Sequence, residues 1–324
     1  MGLRPIDLPD LRAETVEFVS EVGQAVYERA IRDGRQNVAP LGPPARAARQ
    51  LADAEVRRLR EAELFFVSAD MADLAVVAAK GLPTFVLAPE DLPAKSGLIY
   101  FDHPIATVDY GDYLPNEGRT PIVAAAWSYW TGNNPYWTKG GIWITWYGDR
   151  DGMIAAAIER GIVNQDQAEA VRSRLGRLMI DNECQTPFTD APVPVSVGGK
   201  VVEFCASNDD VSAWMAVLKT AWLLMGQSVA AVSDAVFDRA AKRRAERLHQ
   251  PPPSVRVITL RRPPSPVHGQ SEREYHHQWI VRGHWRQQWY ASREVHRPVW
   301  IAPHVKGPEG APLIGGEKVY AWTR

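Results

Sequence analysis

The amino-acid sequence predicts an α+β protein, because two kinds of hydrophobic periodicity alternate along it. Residues 10–80 and 208–248 carry apolar side chains at helical spacing, whereas residues 84–147 hold short aromatic and β-branched runs between glycines, prolines and asparagines. The 324 residues are 45% hydrophobic and 23% charged, as in an ordinary globular protein. A disordered tail, a collagen-like chain and a bare coiled coil are thereby excluded.

The first half of the chain predicts three helices and then several strands. The helices cover residues 10–32, 45–63 and 70–80, with Asp10 capping the first and Ser68 or Asp70 the third. Strands are predicted at residues 84–87, 97–101, 122–130 and 142–147, the last two as a hairpin. A helix over residues 151–178, interrupted at Gly161, and a short strand at residues 200–205 follow.

The second half predicts two helices and a small β unit. Trp214, Leu218 and Trp222 fall on one face of a helix that begins near residue 208, which indicates burial, and a second helix covers residues 229–248. Three prolines at residues 251–253 mark a domain boundary. We therefore predict an acidic mixed α+β domain over residues 1–249 and a basic, His- and Trp-rich β unit over residues 254–324. Its strands are expected at residues 255–260, 276–285, 298–305 and 318–322.

The distribution of charge points to a polyanionic partner. The formal net charge of the whole chain is only −1, but residues 239–324 contain 16 Lys and Arg against 6 Asp and Glu. Seven of the eight histidines also lie after residue 248, and only His103 precedes it. A cationic segment of this kind is the usual electrostatic signature of nucleic-acid binding.

The chain carries no sign of export. Its first ten residues lack the basic and apolar runs of a signal peptide, and no apolar stretch reaches the roughly 18 residues that span a bilayer. Cys184 and Cys205 are too few for a disulfide scaffold or a cysteine-based zinc site. We expect a cytoplasmic protein with no membrane partner.

Residues 275–290 carry the candidate catalytic groups. As a strand, this segment places His277, Trp279, Val281, Gly283 and Trp285 on one face, which suits a core. The other face carries the four residues that we predict to be catalytic: His276, Arg282, His284 and Arg286. Imidazole transfers protons near neutral pH and arginine clamps phosphate, so this face suits metal-independent cleavage of RNA through the 2′-hydroxyl. A solvated sheet surface without activity explains the same pattern.

Aromatic and basic residues around this segment predict contacts to single-stranded RNA or DNA. Flat rings stack on bases and cations neutralise phosphates. The predicted contact residues are Arg243, Arg244, Arg247, Trp289, Tyr290, Trp300, His304 and Lys306. Aromatic residues on strands also occur in cores, and a basic run at a helix end is often only solvated.

Other chemistry finds little support. The chain has no phosphate-binding P-loop, no dinucleotide-binding glycine motif and no G-x-S-x-G elbow, and we predict no cofactor. A metal site formed by His276, His284 and His304 is conceivable but lacks a local signature, so no metal is predicted. Asp149 and Asp151 suit Mg²⁺, although a solvated turn explains them better.

One block of the C-terminal region resembles a family. The block begins His277-x-Trp279-x-Val281-Arg282-Gly283-His284-Trp285-Arg286 and continues with Arg297-Pro298-x-Trp300-Ile301. It is similar to uncharacterised proteins of actinobacteria, their phages and mobile elements. The resemblance extends upstream through residues 93–104 and the helix at residues 222–225. It implies a setting in phage or mobile-element biology and transfers no catalytic residue.

These observations favour a nucleic-acid-binding protein, with RNase-like hydrolysis as an extension; whether the chain is an enzyme stays open. One rival is a non-enzymatic interaction or inhibitor protein whose acidic half mimics a polyanion. The other is a self-assembling structural protein whose acidic and basic halves pair between copies. The charge asymmetry serves all three hypotheses.

Overall fold

The computed structural model describes most of the chain and confirms the α+β class. The described residues are 3–36, 40, 42–109, 119–130, 140–189, 193–197, 200–204, 213–239, 243, 253–261 and 278–306. Their main feature is a mixed sheet of eight strands with helices packed on both faces. Among the described residues, no helix is both long and apolar enough to cross a membrane.

The predicted cap residue Asp10 lies inside the first helix, which begins at Leu8, but local signals do separate two later helices. Gly161 has a φ of +68°, which suits glycine and ends the helix that precedes it. Asn164 and Gln167 then form a capping box, with Oδ1 of Asn164 accepting from the Gln167 amide at 2.8 Å. The helices are α1 (Leu8–Phe18), which continues through the π-turn Val19–Gly23 into α2 (Gln24–Arg32), α3 (Pro44–Glu61), α4 (Ala69–Ala79), α5 (Arg150–Glu159), α6 (Gln165–Leu175) and α7 (Ala213–Met225).

The large sheet has the strand order β6-β5-β4-β2-β1-β10-β9, and β3 pairs with β4 beside β2. Strand β1 is parallel to both β2 and β10, whereas the other pairs in this sheet are antiparallel. Its strands are β1 (Glu63–Val67), β2 (Ser96–Phe101), β3 (Ala106–Asp109), β4 (Arg119–Trp130), β5 (Gly141–Asp149), β6 (Leu178–Pro187), β9 (Ala230–Asp234) and β10 (Val255–Leu260). Outside it, β7 (Val193–Val197) pairs with β8 (Lys200–Phe204).

Two hydrophobic clusters cover the two faces of the sheet. One joins α1, α2 and α3 to residues such as Leu64, Leu98 and Tyr147. The other joins α4 and α7 to Phe65, Ile99 and Trp127. Neighbouring residues of β1 and β2 enter opposite clusters because side chains alternate along a strand. The C-terminal residues Trp285 and Trp300 pack against the second cluster, which places the candidate site on the α4 and α7 side.

Three expectations from the sequence are corrected. Residues 84–87 form no strand, and residues 230–234, predicted as helix, are the edge strand β9. Strand β10 lies between β1 and β9 in the large sheet, so residues 255–260 are not part of a separate C-terminal β unit. The predicted strand at residues 318–322 lies outside the described residues. The division into two domains stays a prediction.

Candidate nucleic-acid interface

Residues 278–306 form a long two-stranded antiparallel ribbon. Strand β11 (Trp279–Val281) pairs with β14 (His304–Lys306), and β12 (His284–Tyr290) pairs with β13 (Val295–Ile301). The register does not shift between the two pairs, since Val281 faces His304 and His284 faces Ile301 with the same offset. The strand predicted at residues 276–285 is present over its described part, with a break at Arg282 and Gly283, and β12 continues it to Tyr290.

Two tryptophans attach the base of the ribbon to the body. Nε1 of Trp285 donates to the carbonyl oxygen of Ala78 in α4 at 2.8 Å. The indole of Trp300 packs edge to face on Trp285 at 5.3 Å, and its backbone amide donates to Oε1 of Gln227 at 2.8 Å. A side chain at Gly283 would lie 2.4 Å from the Trp300 ring, so only glycine fits there.

A nearly buried ion pair provides a second attachment. Arg297 lies 3.2 Å from Asp91 and donates to the carbonyl oxygen of Val86 at 2.8 Å. Burial raises the pKa of Asp91, and the nearby Arg297 partly opposes that rise. The Arg297 guanidinium also lies over the ring of Phe85 at 5.9 Å. This cation therefore serves the fold rather than a ligand.

The register divides the ribbon into two faces. The anchor face carries Trp285 and Trp300 at the base and, further out, Trp289 opposite His296. The cation face carries Arg282, His284, Arg286 and Tyr290, because these residues alternate with those of the anchor face. Strand β13 lies closer to the body, with Pro298 buried, whereas most of β12 is exposed. Strand β12 pairs with β13 only among the described strands, and no described strand covers its outer edge.

The outer end of the ribbon, here called the tip, combines exposed aromatic rings with cations. Trp289 is 48% exposed and Tyr290 is 42% exposed. Among the Phe, Trp and Tyr side chains that the structure describes, these two alone are largely exposed. Arg286 and Arg293, on the same ribbon, are exposed as well. Flat rings next to cations can stack on bases while the cations neutralise phosphates.

The predicted catalytic residues are only partly brought together. Arg282, His284 and Arg286 are exposed on the cation face, and Nδ1 of His284 lies 3.0 Å from the carbonyl oxygen of Arg282. Nδ1 is then the protonated nitrogen, which leaves Nε2 available as a base. His276 lies outside the described residues. The arrangement on the described strands is thus one imidazole between two guanidiniums.

The predicted nucleic-acid contacts are scattered. Trp289 and Tyr290 lie at the tip on opposite faces, Trp300 is engaged at the base, and Lys306 is exposed at the far end. His304 lies on the anchor face, with Nδ1 at 3.0 Å from the carbonyl oxygen of Ala302. Arg244 and Arg247 are outside the described residues, and Arg243 is described without its neighbours.

The described residues do not form either of the two metal sites considered from the sequence, the histidine site and the site of Asp149 and Asp151. His284 and His304 lie on opposite faces of the ribbon, and the described part of the chain holds no group of three or more His, Cys, Asp or Glu arranged for a metal ion. The Asp149 carboxylate accepts from the Gly152 amide at 2.9 Å and so caps α5. Asp151 pairs with Arg172 at 2.5 Å. Both carboxylates therefore have structural partners.

A second polar cluster, which the sequence analysis missed, lies inside the protein between α3 and the sheet. Glu55 forms an ion pair with Arg58, and Arg58 also donates to Oγ1 of Thr145 at 2.9 Å. Glu183 accepts from Tyr27, Trp143 and Gln36 at 3.1, 3.1 and 2.6 Å. Burial raises the pKa of Glu183, and Arg58 opposes that rise. The available signal was the position of Glu55 and Arg58 on the apolar stripe of α3.

Comparison with family models, curated proteins and solved structures finds no match for this chain. The resemblance of the C-terminal block to proteins of actinobacteria and their phages therefore stays a prediction.

Proposed function

We propose that the chain binds single-stranded RNA or DNA through the ribbon of residues 278–306. The observation that carries this proposal is the pairing of exposed rings with exposed cations at the tip. Both Trp289 and Tyr290 are largely in solvent, where a ring is accessible to a stacking base. A cytoplasmic location, where nucleic acid is accessible, is part of the proposal.

The charge of the ribbon supports the same partner. Residues 278–306 contain five Lys and Arg and a single acidic residue, Glu294. Arg297 is engaged by Asp91, whereas Arg282, Arg286, Arg293 and Lys306 are all exposed. Binding that neutralises phosphates releases condensed counterions, so affinity depends steeply on salt.

The proposal is tested by titrating the full chain with a fluorescent oligothymidine or oligouridine at salt concentrations from about 50 to about 200 mM. We expect affinity to fall steeply across this range. Replacing both Arg286→Gln and Arg293→Gln should weaken binding and reduce the slope of log K against log salt by about 1.4, since each single-strand phosphate contact contributes about 0.7.

A matched control separates the ribbon from charge in general. Arg49→Gln removes an exposed cation from α3, which lies on the opposite face of the sheet. It should leave affinity and slope unchanged. The proposal fails if the wild-type chain does not bind at low salt, or if Arg49→Gln weakens binding as much as the changes in the ribbon.

Hydrolysis of RNA is a second candidate, favoured by the geometry of His284. Its Nδ1 is held by the Arg282 carbonyl oxygen, and its exposed ring lies on the same face as Arg286. We expect His284→Ala to reduce cleavage by about 10²–10⁴-fold while binding persists, because general acid–base catalysis is worth that much. His276→Ala should act alike, and His103→Ala, at an exposed histidine of the body, should not. Wild-type protein that cleaves no RNA in EDTA leaves only the binding proposal.

A further inference from the structure

The two exposed rings at the tip differ in their surroundings, although they are neighbours in sequence. Trp289 lies on the anchor face, where the His296 ring packs against it at 4.9 Å with an interplanar angle of 51°. Tyr290 lies on the cation face with Arg282, His284 and Arg286. Trp289 therefore has a ring packed against it, whereas Tyr290 only shares its face with the two arginines further down the ribbon.

We infer that a bound strand follows the outer edge of β12, with its phosphates against Arg282 and Arg286 on the cation face and one base stacked on Trp289 on the anchor face. The inference rests on the proposed function and assigns its two kinds of contact to the two faces. The ligand class is single-stranded nucleic acid, because a base within a duplex presents no free ring face to Trp289.

Each of the two contact groups has a neighbour in the ribbon that restricts its motion before a ligand arrives. His296 limits the rotation of the Trp289 ring, and the guanidinium of Arg286 donates to Oε1 of Gln288 at 2.8 Å. Groups already fixed in their binding position lose less conformational entropy when the ligand binds. Arg282 lies in the break before β12 and Arg286 lies on β12, four residues further along, which in extended chain is about 13 Å, so they reach different phosphates.

The edge of β12 is the place where the two faces meet. Strand β13 closes the other side of the ribbon, since Pro298 is buried and Arg297 contacts Asp91 of the body. The outer edge of β12, together with the exposed turn at residues 291–294, therefore gives a bound strand access to both faces. Backbone amides at such an edge are also common contacts for phosphate oxygens.

The test compares Trp289→Leu with Tyr290→Leu in the full chain. Each change removes one exposed ring of similar exposure, so folding should persist, as a thermal melt will check. The probe is oligothymidine of about 12 nucleotides, within the roughly 4–16 that such sites cover. We expect Trp289→Leu to weaken binding about tenfold or more and Tyr290→Leu less than about twofold. The salt slope should stay unchanged in both.

The quenching of tryptophan fluorescence by the bound oligonucleotide gives a second readout, and Trp289→Leu should abolish it. Arg286→Gln should behave in the opposite way: it should lower the salt slope by about 0.7 and leave the quenching in place. Equal losses for the two ring variants, or a greater loss for Tyr290→Leu, would overturn the assignment of faces while leaving the proposed binding intact. Quenching that survives in Trp289→Leu would overturn it as well. Wild-type protein that does not bind the oligonucleotide would refute the proposed function itself, and this inference with it.

Discussion

Arg58 lies between two glutamates in a part of the protein that water does not reach. Glu55 is fully buried, Glu183 is buried on β6, and Arg58 contacts the first directly while its charge acts on the second. Its Nε also donates to Oγ of Ser128 at 3.2 Å. Each polar group thus has a partner, which is the condition under which charges persist in a core.

Removing the cation should be far more costly than removing an exposed one. We expect Arg58→Met to lower the free energy of unfolding by about 3–5 kcal/mol, because two buried carboxylates then lose their counter-charge. Arg57→Met, at an exposed position of the same helix, is the matched control and should change it by less than about 0.5 kcal/mol. Urea denaturation of the three proteins measures both values. Similar losses in both variants would contradict the structural role of the buried cluster.

At the scale of elements, the edge strand β6 contains a bulge with an unusual carboxyl group. The pairing with β5 shifts between Trp146 and Tyr147, which face Asn182 and Ile180, so Asp181 is the extra residue. Burial raises the pKa of Asp181 to about 6, from an ordinary value of 3.8. Between these values the folded protein holds a proton that the unfolded chain has lost.

This difference predicts the sign of a pH effect. The contribution of Asp181 to stability is fully present below about pH 4 and is lost as the pH rises through about 6, since the folded state binds the additional proton. The Asp181→Asn variant has no titrating group at this position. Its free energy of unfolding should therefore increase relative to that of the wild type as the pH rises from about 4 to about 6. Urea denaturation at several pH values gives the difference. A difference that is constant with pH, or that changes in the other direction, would contradict the assigned shift.

Helix α7 shows how far a hydrophobic stripe predicts burial. Trp222 is 3% exposed and packs edge to face on Trp127 at 5.1 Å, as the helical spacing predicts. Trp214 is only half-buried, although its ring contacts Trp146 at 5.7 Å. The stripe identifies the correct face, but the end of the helix extends beyond the core.

The two tryptophans should therefore differ in their effect on stability. We expect Trp222→Ala to cost about 3–5 kcal/mol and Trp214→Ala about half as much, because a truncation costs most where the ring is fully enclosed. Thermal or urea denaturation of both variants gives the comparison. Equal losses would mean that Trp214 is as tightly packed as Trp222, and an unchanged midpoint for Trp222→Ala would refute its burial.

Local patterns predicted the helices better than the strands. Helices α3 and α4 and strands β2, β4 and β5 were predicted to within a few residues, because caps, prolines and periodicity all agree there. Strand β1 was missed because it directly follows α3 and is apolar on both faces, which gives no alternation. Strand β9 consists of small residues, and its pairing with β10 rather than its own sequence makes it a strand.

The candidate site shows the same limit. The alternation of residues 275–290 correctly predicted two different faces, because the register of the ribbon is continuous. The bond from Trp285 to Ala78, 207 residues apart in the chain, leaves no trace in the local pattern. The contact between Trp300 and Trp285 at the base of the ribbon leaves no local trace either. The sequence therefore predicted Trp300 as a ligand contact, whereas in the structure its ring packs where the ribbon meets the body.

At the scale of the whole molecule, the chain returns to the large sheet after the prolines at residues 251–253. Strand β10 pairs in parallel with β1 along four residues and also carries β9 on its other side. Ile258 and Val255 are buried in the two opposite core clusters. The segment after the predicted boundary is thus a central strand of the large sheet, and the ribbon follows it.

This topology predicts which fragments of the protein will fold. A fragment of residues 1–249 lacks β10, so β1 gains an unpaired buried edge and β9 loses the one partner that it has among the described strands. We expect this fragment to aggregate or to unfold without a cooperative transition. A fragment of residues 1–261 keeps β10 and should unfold cooperatively, at a lower temperature than the full chain because the contacts of Trp285 and Arg297 with the body are gone. Circular dichroism during heating distinguishes the two. A shorter fragment that is as stable as the longer one would support the predicted boundary and would show that β10 is dispensable for the sheet.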